Sequence, residues 1–234
     1  MAHISAVVSA KGGVGKSSLC AGLSRALAIR GRRVLLIDTD IGLRSADILL
    51  GVSQSAVYGW DDVLNGCPPE KACIKAANGV TLLCAPFVPA QYDSQSFRTM
   101  VLGLQADYDY IMLDSPAGFS GGFELCAACA QAGIVVATPD EVSLRAASIA
   151  ADKMRQYGVT GLRLVVNRFV KRRGANTLDH YVDGTSVRLL GAVPEDKAVL
   201  RGSNGAPVAV TTPAFAAYGR IAGRLEGENI PLEL

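Results

Sequence analysis

The sequence predicts a single α/β domain built on one open, mostly parallel, doubly wound sheet with helices on both faces. Three observations carry this. Short Val/Ile/Leu-rich runs recur along the chain, and most lack the period-2 alternation of half-exposed strands, as strands buried on both faces do. Apolar residues at helical spacing lie between those runs. Polar, Gly or Pro signals stand at the ends of several runs, where an open α/β sheet keeps its ligand.

Ile4–Ser9 reads as the first strand, and Leu19, Leu23, Ala26 and Leu27 then recur at i, i+4, i+7 and i+8, a helix that Gly31 stops. Further strands are expected at Val34–Asp38, Val80–Pro86, Tyr110–Asp114 and Gly133–Thr138. Leu144, Ala147, Ala151 and Met154 repeat the helical spacing up to Gly158. Leu162–Asn167 and Leu189–Pro194 supply the last strands, and a closing helix runs from about Pro213 to Leu225. No repeat, linker or low-complexity tract interrupts the alternation, so residues 1–225 read as one domain and 226–234 as a short acidic tail.

The chain has 234 residues, with 23 Lys plus Arg against 21 Asp plus Glu and a net charge of +2. That balance excludes a protein that coats nucleic acid or acidic membranes by bulk electrostatics. At 50% hydrophobic and 19% charged residues the chain can bury a large core, which excludes disorder for most of its length. The first apolar run meets Lys11 before a signal-peptide core could be completed, so no export signal is read and a cytoplasmic location is expected. The uncharged stretch Leu125–Thr138 falls short of the ~20 residues a membrane span needs and reads as buried core. Six cysteines in a chain with this core are expected as reduced thiols. Cys126 and Cys129 form a lone C-x-x-C on an Ala-rich helix, read as packed side chains because no second Cys/His pair stands at zinc-like spacing.

The strand ends carry the chemistry. Lys11–Ser18 follows the first run, Asp38 and Asp40 end the second, Asp114–Gly118 follows Tyr110–Leu113, and Asn167-Arg168 and Pro194–Asp196 end the last two. Ala10-Lys11-Gly12-Gly13-Val14-Gly15-Lys16-Ser17-Ser18 joins a strand to an amphipathic helix, the context of a P-loop. Its glycines let backbone N–H groups turn inward around phosphate oxygens, and the helix N-terminus adds partial positive charge. Lys16 can reach the β- and γ-phosphates, and the Ser17 hydroxyl can ligate Mg²⁺. Ala10 stands where the pattern G-x-x-x-x-G-K-[ST] has its first Gly. The expected fold is a P-loop NTPase, with Gly12, Gly13, Val14, Gly15, Lys16, Ser17 and Ser18 around the phosphates.

Lys11, a second lysine at the start of the loop, makes the motif more specific. Lys11–Ser17 resembles the deviant Walker A signature of the MinD/ParA family of ATPases, and other segments match in order. These are Asp38-Thr39-Asp40-Ile41-Gly42-Leu43-Arg44 followed by Asp47, then Asp114-Ser115-Pro116-Ala117-Gly118, then Glu141-Val142-Ser143. Pro194-Glu195-Asp196, leading into Val199-Leu200-Arg201 and Ser203-Asn204, completes the set. The resemblance ends near residue 225 and is nearest to the branch that places the division septum.

The resemblance implies an ATPase that binds ATP and Mg²⁺, dimerises on ATP, and hydrolyses it to ADP and phosphate. Lys11 would then cross the dimer interface to the partner's phosphates, a cation supplied in trans that makes hydrolysis wait for dimerisation. Asp40 would position the attacking water. Asp38 and Asp114 would stand behind the Mg²⁺ shell, and Gly118 would offer its N–H near the γ-phosphate. Asn167-Arg168 and Pro194–Asp196 would wall the adenine. A protein partner is also implied, either a division inhibitor or an activator of the ATPase. A ParA-type or flagellar-number switch stays open, as does a binding module in which hydrolysis serves only as a timer.

Two departures from the family pattern bear on partners. Relatives that place the septum end in a basic amphipathic membrane helix, whereas Leu225–Leu234 holds three Glu, no Lys or Arg, and a Pro. This tail is not expected to bind anionic lipid by itself, so the chain would reach the inner face of the membrane through a partner. The other departure concerns DNA: the densest basic cluster, Arg168, Lys171, Arg172 and Arg173, has few interleaved aromatics in a chain of net charge +2 and reads as a solvated loop, not a nucleic-acid surface.

Overall fold

The computed structural model describes residues 1–170, 178–202, 205 and 207–233. Lys171, Arg172, Arg173, Ser203 and Asn204, all named in the sequence reading, lie outside the described residues. Strand and helix alternate from β1 (His3–Val8) and α1 (Lys16–Ile29) to β2 (Val34–Asp38). Three short helices follow, α2 (Ala46–Leu50), α3 (Trp60–Leu64) and α4 (Pro69–Ala72), with a 3₁₀ turn at Ser53–Ser55. Next come β3 (Ile74–Lys75), β4 (Val80–Leu83), α5 (Ser94–Gly103), β5 (Tyr110–Asp114) and α6 (Gly121–Cys129). The chain continues through β6 (Ala132–Ala137), α7 (Glu141–Gln156), β7 (Gly161–Phe169), α8 (Leu178–Thr185), β8 (Leu189–Pro194), α9 (Lys197–Gly202) and α10 (Pro213–Leu225).

The eight strands lie in the order β3-β4-β2-β5-β1-β6-β7-β8, all parallel except for the β3–β4 pair. β1 sits between β5 and β6, and the chain leaves it toward β2 on one side and reaches β6 only later on the other. The loop after β1 therefore opens at the place where strand order reverses, the crevice in which such sheets bind ligands. Asp38 and Asp114 end neighbouring parallel strands in direct register, and Asp114 is also the register partner of Val7. Topology alone thus puts two carboxylates side by side next to the loop.

Alternate residues of the apolar strands serve two cores. Ile4, Ala6, Val8, Leu35 and Ile37 face one side, where Phe97, Phe123, Ala147 and Tyr181 from α5, α6, α7 and α8 cover them. Val7, Val34, Leu36 and Met112 face the other, against Leu19, Leu23 and Leu27 of α1 and Tyr218 and Ile221 of α10. Both faces are dry, and that removes the polar alternation a one-sided sheet would show. The α1–α10 contact depends on Gly22, because a Cβ there would run into the Tyr218 ring.

The observed elements differ from the expected ones in particulars. The third expected strand stops at Leu83 instead of reaching Pro86, since Cys84 leaves the ladder to bridge Gly59 and Pro86 has no N–H to give. Ile74–Lys75, an antiparallel edge of two residues, is too short for any periodicity to announce it. β7 runs on to Phe169 through register shifts that accommodate Arg168 at φ 55°. Leu125–Thr138 divides between the end of α6 and the buried strand β6. All six cysteines are free thiols, and Cys126 and Cys129 are packed in the core.

Candidate functional site

The loop between β1 and α1 turns on two glycines in the left-handed region, Gly13 at φ 74° and Gly15 at φ 88°. Gly15 is the N-cap of α1 and offers no side chain to its first turn, so the N–H groups there stay free for an anion. A Cβ on Gly15 would strike the Asn167 amide, whose Nδ2 donates to the Val14 carbonyl at 2.7 Å and ties the end of β7 to the loop. The loop walls a cavity of about 390 Å³ together with Asp40, Ser45, Ser115, Ala117 and Arg168.

Lys16 and Lys11 leave this loop in different directions. Lys16 is buried at 7% exposure, its ammonium 3.5 Å from the Lys11 carbonyl. Burial lowers its pKa, opposed by the charges of Asp114 and Asp40. Lys11 reaches outward to Asp140, the N-cap of α7, with its Nζ 2.9 and 3.0 Å from the two carboxylate oxygens. Asp140 also accepts from Thr138 Oγ1 at 2.7 Å and from the Ser143 N–H at 2.9 Å. Burial works to raise its pKa, but the hydrogen bonds from Lys11, Thr138 and Ser143 outweigh it and the carboxyl stays low.

Behind the loop, Asp38 is fully buried and spends both oxygens on main-chain donors, Asp40 N–H at 2.8 Å and Ala46 N–H at 3.0 Å. Burial pushes its pKa to about 6 against those two bonds. Asp114 is held well above the carboxylate range, by burial first and by the neighbouring Asp38 second. Both Asp114 oxygens are buried without a well-formed hydrogen bond, although the Ser17 hydroxyl is turned toward them. Two buried carboxylates in register, one of them orphaned, call for a cation. Among the described residues no three His, Cys, Asp or Glu gather into a cage for a metal. The donors present, one hydroxyl with carboxylates behind it, fit Mg²⁺ held jointly with phosphates and water.

Asp40 is half-buried, with burial raising its pKa and Lys16 lowering it. It lines the cavity together with Ser17 and Lys16, whereas Gly118, at φ 76°, lies just beyond the Ser115 and Ala117 wall. The expected adenine-side residues are split. Asn167 and Arg168 stand at the loop, but Pro194 lines a separate cavity of about 320 Å³ with Phe169 and Pro213. Glu195 donates its N–H to the Phe169 carbonyl, and Asp196 accepts from Ala198 N–H at 2.8 Å and Ala214 N–H at 3.2 Å.

Three supporting residues escaped sequence reasoning. Thr39 Oγ1 lies 2.8 Å from the Asp114 carbonyl and 3.2 Å from that of Gly122, knitting the two acidic strand ends together. Trp60 donates its indole N–H to the Asp38 carbonyl at 2.9 Å. Asp140 holds Lys11. A capping pattern, Asp140 three residues before Ser143, could have revealed Asp140 as a helix start, but nothing local ties it to Lys11.

A Gly-rich loop between the central strand and a helix, a buried lysine and paired carboxylates define a P-loop nucleotide-binding protein. The chain belongs to the CbiA family, the CobQ/CobB/MinD/ParA nucleotide binding domain, which it matches over residues 5–208. It is 36% identical over 244 aligned positions to the septum site-determining protein MinD of Bacillus subtilis, covering 97% of this chain and 90% of that one. Its likeness to MinD of Synechocystis is 34% over 245 positions, covering 99% and 92%. The MinD chain of the Aquifex aeolicus MinC:MinD cell division complex superposes with a TM-score of 0.91 at 34% identity, covering 100% of this chain and 99% of that one. The chain is therefore MinD-like in sequence and fold along its length, within a family of P-loop ATPases. Among the described residues no helix is long and apolar enough to cross a membrane.

Proposed function

We propose that this chain is an ATP-switched ATPase of septum placement: it binds Mg·ATP, dimerises with nucleotide between the subunits, and hydrolyses ATP to ADP and phosphate, which resets the dimer. The observation that carries this is the division of labour between the two loop lysines. Lys16 is buried within the phosphate cavity, while Lys11, 34% exposed, does not line it and stands open at the surface. A cation of that kind, supplied in trans, stabilises charge developing on the γ-phosphate only in the dimer.

In this reading the N–H groups of Gly12–Ser18 and the Lys16 ammonium bind and orient the phosphates. Ser17 would ligate Mg²⁺, with Asp38 and Asp114 behind it to neutralise its charge. When bound, Mg²⁺ neutralises phosphate charge and lets both buried carboxylates stay ionised. Asp40 orients water toward the γ-phosphate, Gly118 offers its N–H there, and Asn167, Arg168 and Pro194–Asp196 flank the base. Residues 1–225 act as one ATPase domain.

The Aquifex aeolicus relative was solved with MinC, and a protein partner of this type, a division inhibitor or an ATPase activator, is assigned to the ATP-bound dimer here. The chain works in the cytoplasm and meets the inner face of the membrane through that partner, residues 226–233 being acidic and folded back on the domain. Size exclusion with light scattering, in ADP and in a non-hydrolysable ATP analogue, tests the switch. A dimer only with the analogue, and phosphate release that rises with protein concentration, are the expected results. A monomer with full turnover overturns the trans mechanism.

A further inference from the structure

One buried arginine holds the loop that carries Asp40. Arg44 is 3% exposed and sits at φ 46°, a left-handed conformation uncommon for a side chain of its size. Leu43 and Ser45 on either side of it line the phosphate cavity, whereas Arg44 turns away into the body of the domain. There its Nη2 donates to the Ala56 carbonyl at 2.6 Å and its Nε lies 3.2 Å from Asp47 Oδ2. The guanidinium carbon lies 4.1 Å from the centroid of the Phe87 ring, so three separate segments grip one side chain.

The Asp40 side chain makes no hydrogen bond among the described residues, so its main chain sets its direction. The Asp40 N–H is held by Asp38 at 2.8 Å and its carbonyl by the Arg44 N–H at 3.0 Å. Asp38 also fixes the far end of the loop at Ala46, and the Gly42 N–H donates to the Pro86 carbonyl at 3.0 Å. Between those anchors, Arg44 is the point at which the loop is tied to the Ala56 and Phe87 segments. We propose that Arg44 is a positioning residue for hydrolysis, fixing the main chain of residues 40–46 so that the Asp40 carboxylate faces the attacking water. This rests on the hydrolytic reading above. The Gly12–Ser18 segment that would bind nucleotide is separate from the Ala56, Asp47 and Phe87 contacts of Arg44, so losing Arg44 acts on the chemical step and spares affinity.

The test is steady-state phosphate release by the full chain, alongside binding stoichiometry with a fluorescent ATP analogue. Arg44→Ala is one variant. Arg44→Met combined with Asp47→Asn is the second, because it leaves no unpaired buried charge and keeps the fold if the first does not. Both are expected to bind about one nucleotide per chain, with KM for ATP within about twofold and kcat down at least about tenfold. Arg44→Lys, which keeps the charge but loses the fork, falls between them and the wild type. A folded double variant with wild-type kcat overturns the proposal, as does a loss confined to KM or to the fraction of chains that bind. If the wild type itself releases no phosphate, the hydrolytic reading fails and this inference fails with it.

Discussion

The Lys11 ammonium lies 2.9 and 3.0 Å from the two oxygens of Asp140, so the lysine at the mouth of the phosphate loop is held within its own chain. The side chains are 34% and 43% exposed, and pairs in such settings are worth about 0.2–1 kcal/mol. Asp140→Asn keeps a capping side chain on α7 but removes the charge that competes for Lys11. It should tighten ATP-dependent self-association by up to about fivefold in light scattering across a concentration series. An unchanged or weaker dimer would show that this pair does not compete with the contact in trans. Lys11→Ala, by contrast, should stay monomeric in the ATP analogue.

Asp40 and Lys11 should separate by phenotype. Asp40 faces the cavity without a hydrogen-bonded partner among the described residues, so Asp40→Ala leaves nucleotide contacts and dimer surfaces in place. The variant should dimerise with ATP and lose turnover by about 10²-fold or more, read by phosphate release. If Asp40→Ala instead abolishes the dimer, Asp40 belongs to assembly and not to water activation.

The strand and helix alternation and the phosphate loop were legible in the residues because both are local: apolar runs bounded by Gly, and lysines at fixed offsets from glycines. The closing helix, Pro213–Leu225, was legible for the same reason, with Pro at its first turn. What could not be read is what tertiary contact creates. Asp140 meets Lys11 across 129 positions, and Trp60 meets the Asp38 carbonyl across 22. The mutual effect of Asp38 and Asp114 needed the register of β2 against β5, which no spacing in the chain reveals. Pro194–Asp196 illustrates the converse: a motif legible in sequence whose Asp196 carboxylate is occupied with the N–H groups of Ala198 and Ala214.

The raised pKa of Asp38 has a pH signature. Its folded value of about 6 exceeds the ordinary ~3.9, so the nucleotide-free fold holds more protons than the unfolded chain between those values. Stability should rise as pH falls from about 7 to below about 4, by on the order of 1 kcal/mol at pH 5 and 2–3 kcal/mol in all for this group. Asp109 acts in the opposite sense: hydrogen bonds from Arg33 hold it down to about 2, and its contribution fades as pH drops from about 4 through 2. The proposed Mg·ADP site would hold both buried carboxylates ionised. Stabilisation by Mg·ADP in thermal melts should therefore be larger at pH 8 than at pH 5.5, and chelating the metal should remove that difference.

The buried thiols should resist alkylation in the folded protein. Burial pushes the Cys84 and Cys129 thiols up to about 12 and raises Cys20 and Cys126 further, leaving almost no thiolate at pH 8. Cys67 and Cys73, both partly exposed, should label first with iodoacetamide, and the other four only on unfolding. Early labelling of Cys126 would mean that α6 opens away from Thr39.

Residues 226–233 make a last prediction, about lipid. Glu226 accepts from both Arg30 and Arg32, Glu228 accepts from Arg30, and Glu233 lies 3.3 Å from Arg220. Arg224 adds hydrogen bonds to the Ile230 and Pro231 carbonyls at 3.0 and 2.6 Å, so the segment is bound along its length. It presents acidic groups that an anionic bilayer repels, and its basic partners are already paired. Sedimentation with anionic liposomes should leave this chain in the supernatant in both ATP and ADP. Glu226→Ala frees Arg32, leaves Arg30 with Glu228 alone, and should add weak, salt-sensitive pelleting independent of nucleotide. Tight ATP-dependent pelleting of the unmodified chain would instead place a lipid-binding surface elsewhere on the dimer.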